Sequence, residues 1–347
     1  MDAGLEKLKQ QIEVHLTERL GGPTSVTSMK SLSGGACQDN YLVDLNVASG
    51  PEAGEYGLVL RTDAGASLLA SLGRPEEFCV AQAAYDNGVK TPRPYWLEKD
   101  IKAIGKPFYF MERIQGRATG RYVVKDRELN GVRKDFARLL AENLAAIHGV
   151  TPLTASDELK TVLGEPLPAH TNQIALAAVR DVRGLLNTLP QTHPALELAL
   201  NWLEHNAPAT DAPVLIHGDF RTGNFMVSPE GLHGIVDWEF AHWGDRHEDI
   251  SWLCMRDWRF GKQTKHVGGF ADRPEFYAAY EKAAGIAVDP EKVRFWEIMG
   301  NIRWAVGSVQ QTERHLSGAD KGIQLAAIGR RCCEMEYEAM RLIDDAG

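Results

Sequence analysis

The sequence predicts an α+β fold in two lobes: a small β-rich amino-terminal lobe over residues 1–112 and a larger helical lobe over 113–347. Three observations point there. Short β-branched and aromatic runs separated by turn signals crowd the first third of the chain. Apolar residues recur at helical spacing from about residue 132 onward. The 347 residues also exceed the roughly 250–300 that one hydrophobic core accommodates.

In the first lobe, TSVTSMKSL, NYLVDLNV and YGLVLRT read as strands, with SGGACQD and ASGPEAGE as the turns between them. RPEEFCVAQAAYDNG then has helical spacing, with Phe78, Ala81, Ala84 and Tyr85 on one face, Pro75 at its start and Gly88 at its end. PYWLE and KPFYFME give two more strands, the second ending near Glu112. Beyond them Phe136, Leu139, Leu140, Leu144 and Ile147 form the buried face of a helix. Residues 151–210, rich in Pro, Thr and Ala, read as a helical insertion with helices around 172–189 and 194–206. A β-rich island follows at 213–237, after which helices are expected through Asp344.

Composition narrows the class of function. Lys and Arg total 38 against 47 Asp and Glu, a formal charge of -9, which argues against a duplex nucleic-acid binder. The five cysteines contain no C-x-x-C, and the adjacent Cys332 and Cys333 are poorly placed to bridge or to chelate zinc, so a reducing compartment is expected. The first twenty residues carry charges among their apolar positions, and no window reaches 18 uninterrupted apolar residues. A soluble, cytoplasmic protein with no membrane partner is the expectation.

The segment richest in chemistry is VLIHGDFRTGNFMVSPEGLHGIVDWEF, residues 214–240. A buried run ends at His217-Gly218-Asp219, Asn224 follows five residues after Asp219, and a hairpin turned at SPEG returns the chain to Asp237. The three side chains are expected at the mouths of adjacent strands. One carboxylate that accepts a proton, beside an oxygen-donor pair that holds Mg²⁺ on phosphates, is what metal-assisted phosphoryl transfer requires.

HGDFRTGN followed by IVDWE resembles the aminoglycoside phosphotransferase and choline-kinase-like family, relatives of the protein kinases. The resemblance implies a bilobal protein-kinase-like fold, ATP and Mg²⁺ as cofactors, and a small-molecule substrate. It implies Asp219 as the catalytic base, Asn224 and Asp237 as Mg²⁺ ligands, and His217 as part of the catalytic loop, either buttressing it or serving as an ordinary core histidine. By the same resemblance Arg61 meets the phosphates and Glu77 orients it, with the neighbouring Glu76 as competitor. Arg replaces the usual kinase Lys but keeps the charge and offers a planar fork. Ser33, Gly34 and Gly35 occupy the place of the phosphate-covering hairpin, and the backbones of Glu112 and Ile114 that of the adenine-holding hinge.

GDRHEDISWL also fits the family's pattern, with Asp245 and Asp249 read mainly as helix-capping and loop-holding acids. The carboxyl end resembles the branch found in or beside acyl-CoA dehydrogenases, where Trp296, Arg303 and Trp304 could wall the substrate pocket or pack as core. The expected activity is ATP-dependent phosphorylation of a small-molecule hydroxyl, such as that of a hydroxylated acid or acyl thioester. An aminoglycoside kinase and a nucleotide-binding pseudoenzyme are the alternatives.

Overall fold

The computed structural model describes residues 3–32, 38–63, 71–319 and 322–346. Its first element is a helix that the strand-based reading of residues 1–112 did not include. In α1 (Ala3–Leu20), Ile12, Leu16 and Leu20 recur every four residues and form one buried stripe, while Lys7, Glu18 and Arg19 stay exposed. That stripe packs on an antiparallel sheet of β1 (Thr24–Leu32), β2 (Gln38–Val47), β3 (Gly54–Asp63), β4 (Pro94–Glu98) and β5 (Phe108–Glu112). The strand order is β1-β2-β3-β5-β4. Arg61 pairs with Asn40 on one side and Tyr109 on the other, so β3, which carries it, is a central strand.

α2 (Arg74–Asp86) starts with Pro75 in its first turn, as predicted, and stops before Asn87 and Gly88. Its buried residues Cys79, Val80, Ala81 and Ala84 join the core of the helical half rather than the core beneath the sheet. The chain leaves β5 through Gly116 and Arg117, whose backbone exchanges two hydrogen bonds with Val227 (2.9 and 3.2 Å). Gly116 has φ 104, and a Cβ there would run into the Val227 carbonyl.

The helical half contains α3 (Gly120–Lys125), α4 (Phe136–His148), α5 (Asp157–Leu163), α6 (Gln173–Leu186) and α7 (Pro194–His205). After the β-rich island come α8 (Arg246–Cys254), α9 (Arg273–Ala284), α10 (Pro290–Leu316), α11 (Ile323–Ile328) and α12 (Cys332–Asp344). α6 and α7, from the predicted insertion, form a second core with α10 and α12 through residues such as Val179, Leu200, Trp296 and Met335.

The island differs from expectation in its pairing. β7 (Phe225–Ser228) and β8 (Gly231–Ile235) form the hairpin expected at SPEG, but β6 (Val214–Ile216) pairs with an unanticipated short strand, β9 (His242–Gly244), rather than with the hairpin. β8 also ends two residues before Asp237. None of the helices among the described residues is long and apolar enough to cross a membrane.

Candidate active site

The three residues of β6 are all buried, so the strand anchors the loop that follows it. Gly218 takes φ 77, and a Cβ there would collide with the Phe240 carbonyl, which is why the position calls for glycine. The fully buried Asp249 of α8 accepts hydrogen bonds from the His217 and Gly218 main-chain N–H groups at 2.7 and 3.0 Å. Its Oδ2 also lies 3.3 Å from Nε2 of His148. Asp245 caps the same helix by accepting from the His247 N–H, so both acids are structural, as favoured from the sequence.

His217 is fully buried behind this loop. Its Nδ1 accepts the Asp219 N–H (3.2 Å), which fixes the tautomer in which Nε2–H donates to the Val236 carbonyl (3.2 Å). Burial pushes its pKa down, towards the neutral form those bonds need, against the nearby carboxylates. Both nitrogens are thus spent on main chain, and the ring stacks near Trp238 at 4.6 Å. In this geometry His217 buttresses the loop, one of the two readings the sequence offered, and neither ring nitrogen is left to meet a substrate.

Asp219 is gripped by three donors. Arg221 Nε and Trp252 Nε1 each donate to Oδ1 at 2.8 Å, and Asn224 Nδ2 donates to Oδ2 at 2.6 Å. Asn224 Nδ2 also donates to the Asp219 carbonyl, which turns its Oδ1 the other way. The Val236 N–H bonds to the Asn224 carbonyl at 3.0 Å and so links this loop to the residue before Asp237.

Asp237 sits in the left-handed region, φ 77, which aspartate tolerates better than most residues. Its Oδ1 accepts from Arg61 Nη2 at 3.2 Å. Burial would raise its pKa, but the Arg61 guanidinium holds it below the usual carboxylate range. Arg61 also donates to Glu77 at 2.5 Å, and Arg74 donates to the other oxygen of Glu77 and to Asp63 at 2.9 Å. Burial would lower the Arg61 pKa, yet Glu77, with Tyr109 and Asp237, more than reverses this and the guanidinium stays charged. Glu77, rather than Glu76, is the partner.

One cavity of about 830 Å³ connects these groups. Arg61, Glu112, Ile114, Asp219, Asn224 and Asp237 all line it, with Glu77 behind Arg61. Its walls near β5 are apolar, with Leu42, Val59, Met111, Met226 and Val236. The Glu112 N–H is taken by the Arg93 carbonyl at 2.8 Å. Ser33, Gly34 and Gly35 lie outside the described residues.

The far end of the cavity is tryptophan-rich. Trp258 lies between Trp252 and Trp304, with ring centroids 5.8 and 5.3 Å away, and the Arg221 guanidinium covers its face at 4.5 Å. Arg303 lines the same end and donates to Glu248 at 2.6 Å; Glu248 in turn lies 3.1 Å from His242 Nε2. Trp296 packs in the second core instead, so of the three carboxy-terminal candidates only Arg303 and Trp304 reach the cavity. Sequence reasoning missed Arg74, Arg221, His148 and Trp252. Arg221 stands two residues after Asp219 inside the motif itself, and Trp252 and Arg74 lie within GDRHEDISWL and RPEEFCVAQ, but nothing in those segments marks what they contact; His148 carried no such signal.

Acyl-CoA dehydrogenase family member 10 of Mus musculus is 29% identical over 57% of this chain. Probable acyl-CoA dehydrogenase IBR3 of Arabidopsis thaliana is 26% identical over 94% of it. The matches span only 18% and 40% of those two longer proteins. Among solved structures, one described as a "putative aminoglycoside phosphotransferase" from Ralstonia eutropha superimposes with a TM-score of 0.69 at 20% identity, covering 97% of this chain and 98% of that one. This likeness shows the fold. A family described as the phosphotransferase enzyme family matches residues 28–296, from the first strand of the sheet to the helix bearing Trp296, and the chain belongs to that family.

Proposed function

We propose that this phosphotransferase moves the γ-phosphoryl group of ATP onto a hydroxyl of a small molecule. The observation that carries this reading is the convergence of Asp219, Asn224 and Asp237 at one cavity that also takes in Arg61. The apolar walls near β5 suit an adenine, with the Glu112 carbonyl and the Ile114 main chain as its polar contacts. Asn224 Oδ1 and the Asp237 carboxylate form an oxygen donor set suited to Mg²⁺, which when bound offsets phosphate charge. Arg61, fixed by Glu77, adds a second positive charge to the phosphate end.

Asp219 receives the acceptor's hydroxyl proton as that oxygen bonds to phosphorus and the bond to the ADP oxygen breaks. Its three donors hold the carboxylate in one orientation, so little reorganisation accompanies the transfer. His217 and Asp249 act through the loop backbone. A nucleotide-binding protein without turnover would have no use for this complete set, which disfavours the pseudoenzyme.

The acceptor end favours a neutral or anionic substrate. Between α8 and α10 it presents three indoles, Arg303 and glutamines rather than the carboxylate array that a polycation requires. Similarity to proteins named as acyl-CoA dehydrogenases directs the choice to a hydroxylated acid or its thioester. The test is ATP consumption with sugars, amino alcohols, hydroxy acids, hydroxyacyl thioesters and aminoglycosides, in wild type and Asp219→Asn. Turnover of a hydroxy acid or thioester that falls about 10²–10⁴-fold in the variant is expected. Efficient aminoglycoside turnover would overturn the acceptor assignment, and more than a tenth of wild-type kcat in Asp219→Asn would overturn the base.

A further inference from the structure

A second group of chemically active side chains, His193, Cys332 and Glu336, lies away from the cavity and takes no part in the proposed reaction. His193 immediately precedes α7, whereas Cys332 opens α12 and Glu336 stands one turn later on the same face. The His193 Nδ1 atom is 3.1 Å from Glu336 Oε1 and 3.8 Å from Cys332 Sγ. All three ligand atoms lie within 4.8 Å of one another. Around a tetrahedral zinc ion, bond lengths of about 2.3 Å to sulfur and 2.0–2.1 Å to nitrogen or oxygen put neighbouring ligand atoms roughly 3.3–3.6 Å apart. The observed separations bracket that range.

Against the sequence expectation that Cys332 is poorly placed to chelate zinc, the fold and not Cys333 supplies its partners, and we infer that His193, Cys332 and Glu336 form a binding site for a zinc-class divalent cation, outside the catalytic cavity and bridging α7 and α12. The donor set is one neutral imidazole, one thiolate and one carboxylate. It neutralises a dication, which is the condition for holding one in a half-buried place. His193 Nε2 is buried without a partner, so the ring is oriented wholly from its Nδ1 side. Without a cation, burial and the adjacent Glu336 push the Cys332 thiol up to about 12. On binding, the S–H bond breaks, sulfur bonds the metal and the proton passes to solvent. Water completes the fourth position at the rim, where His193 and Glu336 are partly exposed.

The site would tie the predicted insertion to the carboxy-terminal helix. Both helices pack on α10, and Leu185 and Ile328, shortly before α7 and α12, line the cavity. The competing arrangement is a proton-bonded cluster in which the imidazole N–H and the thiol S–H both donate to Glu336, with no affinity for metal.

The test is titration of the chelator-treated full chain with Co²⁺ in excess Mg²⁺, read by the thiolate-to-cobalt charge-transfer band. One equivalent is expected to produce the band, and equimolar Zn²⁺ to abolish it. Cys332→Ser should lose it and Cys333→Ser keep it. Glu336→Gln, altered at the rim where folding is least at risk, should weaken Zn²⁺ binding at least tenfold in competition with a chromogenic chelator. No band in the wild type, a band that survives Cys332→Ser, or unchanged Zn²⁺ affinity in Glu336→Gln would each overturn the site.

Discussion

Glu77 is the shared counter-ion of two buried arginines, and removing its charge should cost more than removing either of them. In Glu77→Gln, Arg61 and Arg74 keep their charges in a place where side-chain exposures are 6% and 3%, with a neutral amide between them. Breaking a buried pair by deleting one partner costs about 3–5 kcal/mol. Over 347 residues that translates into a fall in Tm of about 4–7 °C. Arg61→Ala differs, because Glu77 and Asp237 each lose one guanidinium but Glu77 keeps Arg74, so no two buried cations are left without an anion. Its stability cost should be about 1–3 kcal/mol, while KM for ATP rises and kcat falls; Arg61→Lys should be intermediate. Urea unfolding curves and steady-state kinetics on the same preparations separate the two effects. The reasoning is refuted if Glu77→Gln and Arg61→Ala unfold at the same midpoint, or if Arg61→Ala keeps the wild-type KM for ATP.

Other outcomes follow from the same geometry. Asp237→Ala should abolish Mg²⁺-dependent ATP binding in calorimetry, and unchanged affinity would remove it from the ligand set. Gly218→Ala should reduce soluble yield and activity together, since the new Cβ meets the Phe240 carbonyl in a left-handed backbone; a fully active, equally stable variant would contradict this. Burial would raise the Glu248 pKa, but His242 and Arg303 hold it at about 2, below its ordinary 4.5. Its contribution to stability is therefore present above pH 4.5 and lost as pH falls towards 2. Burial would lower the His242 pKa, but Glu248 raises it above 6.5, so this contribution is present below 6.5 and lost as pH rises through the raised value. In Glu248→Gln the His242 titration followed by NMR should drop below 6.5, because burial and Arg303 remain; an unmoved titration would exclude Glu248 as the cause.

The catalytic loop was legible in the sequence because its chemistry is local. Asp219, Asn224 and Asp237 are spaced by one loop and one hairpin, and glycine at 218 marks a backbone no other residue adopts easily. Arg61 and Glu77 were legible only as places in an order, since their pairing is made through space. Arg74 could not be read, because its role comes from reaching a carboxylate that already has a partner. α1 was missed because its apolar stripe, Ile12-Leu16-Leu20, is one residue wide and set among charges. β9 is three residues long, and nothing but its pairing with β6 makes it a strand. The tryptophans of the acceptor end come from α8, the turn after it and α10, so no single segment announces them.

The way α2 is buried bears on regulation. Protein kinases switch by swinging the helix that carries the glutamate, making or breaking its pair with the strand cation. Here that helix is rooted by Cys79, Val80, Ala81 and Ala84 in the core of the helical half, and Arg74 clamps Glu77 from the first turn. Swinging it out would open a packed interior and part Arg61 from Glu77, and Arg74, which moves with the same helix, from Asp63. Packing of this kind opposes such a swing, so the Arg61–Glu77 pair is built into the site as a fixed support for the phosphate end rather than as a hinge.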